Sequence, residues 1–79
     1  MMIYLSRREA AAMADRKANH TGRTYVLIYD KTYDMWMAEP AEQFESIRRH
    51  WEEKYTADLE IVSHYYPADV EVEELRIPL

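Results

Sequence analysis

The sequence predicts a small α+β domain whose elements run strand, helix, strand, strand, helix, strand. Three segments carry that prediction. "SRREAAAMADRKA", from Ser6, opens with a helix-start signature and continues in good helix formers. "YVLIYDKTYDMWM", Tyr25 to Met37, sets two apolar runs rich in strand formers on either side of a polar turn. "EPAEQFESIRRHWEEKY", Glu39 to Tyr55, repeats apolar residues at 3.6-residue spacing.

Each element has its own local reason. "MIYL", Met2 to Leu5, is a short apolar run of strand formers that leads directly into Ser6. There Ser6 and Glu9 make a capping box, with Leu5 and Ala10 spaced as a hydrophobic staple, so a helix should start at Arg7. Its alanines let it lie close on a sheet. It should end between Asn19 and Gly22, the only glycine in the chain and the natural left-handed cap. In the following hairpin a two- or four-residue turn groups Val26, Ile28, Met35 and Met37 on one face. Tyr25, Leu27, Tyr29, Trp36 and Ala38 then share the other, which separates an aliphatic face from an aromatic one. A three-residue turn would regroup them.

Pro40 suits the first position of the second helix, and Phe44, Ile47, Trp51 and Tyr55 form the stripe through which that helix packs. "LEIVSHYY", Leu59 to Tyr66, is a further strand ended by Pro67. This element order is the ferredoxin-like β-α-β-β-α-β pattern, an antiparallel sheet with two helices on one face. If "MIYL" is too short to pair, it reduces to α-β-β-α-β. Residues 1–66 form the single α+β domain, and 67–79 an acidic C-terminal tail or edge strand.

Composition narrows the function classes. A chain of 79 residues holds one modest core that buries roughly 60% of its unfolded surface. Without cysteine there is no disulfide or thiolate metal site to supplement it. His20, His50 and His64 lack metal-ligand spacing, and a single glycine cannot build a phosphate-binding loop. No nucleophile sits in a recognisable local motif, so neither catalysis nor a cofactor is expected. "MMIYLSRRE" has too short an apolar run for a signal peptide and no window spans a membrane, so a cytoplasmic protein is expected.

Two surfaces remain as binding candidates. Formal net charge is -5, and its distribution is uneven: residues 1–31 carry six basic and three acidic groups, residues 32–79 four and twelve. The acids concentrate at Glu42, Glu45, Glu52 and Glu53 on the second helix and at Asp69, Glu71, Glu73 and Glu74 in the tail, a surface suited to a basic partner. The aromatic sheet face, with Tyr25, Tyr29 and Trp36, is the second candidate, for a protein partner or a homodimer. Base stacking on it is disfavoured, because Asp30 and Asp34 flank the rings and net charge opposes phosphate.

In size, acidity and lack of a catalytic motif, carried by "EPAEQFESIRRHWEE" and "ADVEVEEL", the chain resembles the small acidic inhibitors of the anti-CRISPR type that phages and mobile elements encode. That resemblance implies a non-catalytic protein that docks on a larger protein or ribonucleoprotein complex and blocks a basic nucleic-acid-binding surface. The alternative is a ferredoxin-like nucleic-acid-binding or regulatory ligand-binding module that uses the aromatic face.

Overall fold

The computed structural model describes residues 3–4 and 6–68. They form β1 (Ile3–Tyr4), α1 (Arg7–Thr21), β2 (Tyr25–Asp30), β3 (Met35–Pro40), a 3-10 turn (Ala41–Gln43), α2 (Phe44–Tyr55) and β4 (Leu59–Tyr65). The α+β class, the antiparallel four-stranded sheet and the β-α-β-β-α-β order are those the sequence predicts. Short as it is, β1 pairs with β3, Ile3 opposite Met37 and Tyr4 opposite Trp36, so the reduced five-element form does not apply.

The caps behave as their residues dictate. The Glu9 N–H donates to Ser6 Oγ at 3.1 Å, and Gly22 closes α1 at φ 74°. Asp30 opposite Met35 makes the hairpin turn four residues long, and Tyr29 opposite Trp36 with Leu27 opposite Ala38 gives the predicted separation of faces. Pro40 differs from expectation. It ends β3 opposite Tyr25 and caps the 3-10 turn, so α2 starts at Phe44. Proline fits that boundary because it needs no hydrogen-bond partner for a missing N–H.

The sheet order is β1-β3-β2-β4, and it sets the position of both helices. β1 and β2 run parallel with β3 between them, joined through α1; β3 and β4 run parallel with β2 between them, joined through α2. The two crossovers start from strands of opposite direction yet step the same way across the sheet. Right-handed connections then require the helices to lie on opposite faces. Side-chain packing agrees: Ala14 and Ala18 of α1 pack with Tyr25 and Ala38, whereas Ile47 of α2 packs with Val26, Ile28 and Met37. The expectation of two helices on one face is therefore corrected. Had β4 joined the sheet beside β1, its crossover would have stepped the other way and α2 would share the face of α1.

Both faces of the sheet are thus core. Val26, Leu27 and Ile28 are fully buried in succession, as befits a central strand covered on both sides. Each such side chain contributes about 1.5–3 kcal/mol of burial. Alanine at 10, 14 and 18 gives α1 a flat buried stripe that brings it close to the aromatic face. Against β2, β4 carries a bulge: Leu27 faces Ser63 while Ile28 faces Ile61, leaving Val62 without an opposite residue. Beyond β4 the Ala68 N–H donates to Asn19 Oδ1 at 2.7 Å. The predicted acidic tail, from Asp69 onward, lies outside the described residues.

Candidate functional site

The chain reaches its open apolar surface where α2 ends beside the β2–β3 turn. Along the predicted stripe Ile47 is buried, Phe44 and Trp51 are half-buried, and Tyr55 is 41% exposed. The stripe runs past the end of the sheet. In the turn, Asp34 takes a left-handed conformation at φ 56°, and Tyr33 is 48% exposed. Tyr33, Met35, Trp51 and Tyr55 together line an open, largely apolar pocket of about 360 Å³. That is room for one large side chain.

Contacts hold its walls. The Tyr33 hydroxyl donates to the Tyr55 carbonyl oxygen at 2.6 Å, joining the turn to the last turn of α2. Trp51 and Tyr55 stack with centroids 4.8 Å apart and planes tilted by 42°. His50 meets Tyr55 edge-on at 6.3 Å, and Lys54 Nζ lies 5.6 Å from the centre of the Tyr55 ring. Thr56, in the left-handed region at φ 57°, ends α2 by donating its N–H to Glu52.

Behind the pocket stands Asp30, which no sequence pattern marked as a site residue. It is fully buried. Its Oδ1 accepts the N–H groups of Thr32 at 2.9 Å, Asp58 at 3.2 Å and Tyr33 at 3.4 Å, while its backbone carbonyl accepts Asp34 N–H at 2.8 Å. One carboxylate thus fixes the hairpin turn to the α2–β4 connection. Lys31 N–H, donating to the Asp58 carbonyl at 2.9 Å, adds a second tie. Oδ2 of Asp30 is buried with no hydrogen-bond partner among the described residues. An aspartate opening the turn "DKTYD" is an Asx-turn signal, and it is the cue that would have found this residue.

The predicted acids on α2 are mostly engaged. Arg48 Nε and Nη2 bind Glu45 at 2.6 and 2.9 Å, and its Nη1 binds Glu52 at 2.8 Å. The hydrogen bond from Arg48 holds the Glu45 carboxyl below the usual carboxylate range, and the same contacts, Glu45 first, push the Arg48 guanidinium further up. Glu42 pairs with Arg23 at 2.9 Å. Glu53 is exposed, with no ion pair among the described residues. Asp69, Glu71, Glu73 and Glu74 lie outside them. The fold therefore leaves the described part of the acidic surface with little unpaired charge on α2.

The aromatic sheet face is covered by α1. Tyr25 is buried, and Tyr29 and Trp36 are half-buried, their ring centroids 4.5 Å apart, with the Arg7 guanidinium 5.5 Å above Trp36. The Tyr29 hydroxyl donates to Asp34 Oδ1 at 2.7 Å, and that bond first, with burial and neighbouring carboxylates after it, raises its pKa. These rings close the end of the α1 layer. The three residues stay together on one face as predicted, and among the described residues the exposed aromatic rings are Tyr33, Tyr55 and Tyr66.

Among the described residues no group of three or more His, Asp or Glu side chains is placed to hold a metal ion, and no helix is long and apolar enough to cross a membrane. The chain matches no protein-family model, no curated protein and no solved structure.

Proposed function

We propose that the chain is a non-catalytic binding protein, an inhibitor of the anti-CRISPR type or an adaptor. It docks in the cytoplasm on a larger protein or ribonucleoprotein complex and covers a basic nucleic-acid-binding surface there. The observation that carries this reading is the open pocket of Tyr33, Met35, Trp51 and Tyr55. Tyrosine, tryptophan and methionine are the residue types enriched at interface cores, and rings held by neighbours lose little entropy on binding.

Net charge of -5 supports a basic partner, since acids steer such an encounter. With Glu42 paired to Arg23 and Glu45 and Glu52 sharing Arg48, the steering charge falls mainly to Glu53 and the tail acids Asp69, Glu71, Glu73 and Glu74. The alternative, base stacking on the aromatic sheet face, has α1 against it. Tyr25 is buried beneath that helix, and the Arg7 guanidinium sits over the half-buried Trp36 ring.

Affinity capture from the native host identifies the partner, and titration of the purified partner then tests the site. Tyr33→Ser with Tyr55→Ser removes two exposed rings and leaves the core intact. Binding should weaken by about thirtyfold or more, the size expected of interface hot spots, and wild-type binding should also weaken as salt rises. Wild-type affinity in the folded double variant, or a partner without a basic surface, refutes the proposal.

A further inference from the structure

We infer that Met35 is a modification site: a hydroperoxide oxidises its thioether in the folded protein, and the resulting sulfoxide closes the pocket to an apolar side chain. The second half rests on the docking role proposed above; the first does not. Without cysteine, methionine carries all the sulfur of this chain. The fold sorts those sulfurs by access. Met35 is half-buried and lines the open pocket of about 360 Å³, so a molecule as small as hydrogen peroxide can reach it from solvent. Two residues on along β3 and on the same face, Met37 is 1% exposed and sealed among Val26, Ile28 and Ile47. Met13 packs on the alanine layer of α1.

The step needs no group from the protein. A lone pair of the Met35 sulfur attacks the hydroxyl oxygen of the hydroperoxide, and the O–O bond breaks as the S–O bond forms. The hydroxyl proton passes to the departing oxygen, which leaves as water or an alcohol. Sulfur loses two electrons and the peroxide gains them. A flexible apolar side chain thereby acquires a strong acceptor oxygen. Nearby donors are already committed: the N–H groups of Thr32 and Tyr33 to Asp30 Oδ1, that of Asp34 to the Asp30 carbonyl, that of Ala57 to the Trp51 carbonyl, and the Tyr33 hydroxyl to the Tyr55 carbonyl. The new oxygen is left to water. An apolar side chain entering the pocket strips that water and leaves the oxygen unpaired, the costly arrangement for a buried polar atom.

Exposure of the native protein to hydrogen peroxide, followed by digestion and peptide sequencing by mass spectrometry, gives the oxidation rate at each methionine. Met35 should oxidise at least about tenfold faster than Met37, and the two rates should converge in urea, where pocket and core are both lost. Oxidised wild type should then bind the purified partner at least about tenfold more weakly, and a methionine sulfoxide reductase should restore the affinity. Met35→Leu, an apolar swap of similar volume, should keep its affinity through the same treatment. Equal rates at Met35 and Met37 in the folded protein overturn the modification site. Unchanged binding by wild type carrying the Met35 sulfoxide, or a loss in oxidised Met35→Leu as large as in wild type, overturns its effect on the pocket. If Met35 oxidises selectively while Tyr33→Ser with Tyr55→Ser leaves partner binding at the wild-type level, the docking role falls and the modification site stands.

Discussion

Asp30→Ala is the substitution that weighs most on this fold outside its apolar core. It removes the acceptor of three N–H groups, those of Thr32, Tyr33 and Asp58. Hydrogen bonds to a charged group contribute about 1.5–3 kcal/mol each. The 3.4 Å contact to Tyr33 is at the weak end, and water can reach the exposed turn, so about 4 kcal/mol is a reasonable gross loss. Relief of the buried, unpartnered Oδ2 returns about 1 kcal/mol, leaving a net cost of about 3 kcal/mol. For a chain of this size, total stability is about 4–12 kcal/mol, so the loss is a large share of it. Asp30→Asn keeps one acceptor oxygen but loses the charge and sets an unpartnered amide NH2 where Oδ2 lies, so it should cost about 1–2 kcal/mol, less than alanine. Urea denaturation followed by circular dichroism measures both. With a slope near 1 kcal/mol per molar urea, the alanine variant should lose about 3 M in midpoint and the asparagine variant about 1–2 M. An alanine shift under about 0.5 M, or an asparagine variant as damaged as alanine, would refute the assignment of Asp30 as the clamp between the two loops.

Three further outcomes follow from single atoms or angles. The Tyr4 hydroxyl is buried with no partner among the described residues, so Tyr4→Phe should stabilise the protein by about 0.5–2 kcal/mol in the same urea assay. Thr56 is β-branched at φ 57°, so Thr56→Gly should gain about 1 kcal/mol, raising the thermal midpoint by a few degrees. Burial raises the pKa of Glu39 above its ordinary value of 4.5, with a smaller opposing pull from Lys17. The folded state therefore binds that proton more tightly, and stability falls as pH rises through the raised pKa. Glu39→Gln should be the more stable protein at pH 7, with the difference closing as pH drops toward 4; a pH-independent difference would point to packing instead.

Local structure was legible in the sequence because local rules govern it. Ser6 and Glu9 announce a helix start, Gly22 supplies the only residue at ease with a left-handed cap, and alternating strand formers sort the hairpin into its two faces. The α2 stripe was legible in phase but not in depth. Periodicity shows which side of a helix turns inward, yet not where the sheet beneath it ends, so Trp51 packs against the core as its spacing predicts while Tyr55, next along the stripe, emerges exposed. The α2 salt bridges were legible as well, because Glu45, Arg48 and Glu52 lie at i,i+3 and i,i+4 spacing, where opposite charges meet on one helix face.

The edge on which β4 joins the sheet decided everything else about the site. Nothing local to "LEIVSHY" distinguishes pairing beside β1 from pairing beside β2, because either edge offers unpaired N–H and C=O groups and an apolar flank. Once β4 takes the β2 edge, the right-handed crossover carries α2 to the face that the hairpin reserved for Val26, Ile28 and Met37. The aromatic face, meanwhile, lies under α1, whose buried alanines accommodate Tyr25 and Ala38. Tyr25 is thereby buried and Tyr29 and Trp36 are half-buried, while Tyr33, in the hairpin turn, and Tyr55, at the end of α2, stay exposed. Which aromatic side chains the helices cover thus depended on one non-local choice, the edge that β4 takes, and no local signal in the sequence declares it.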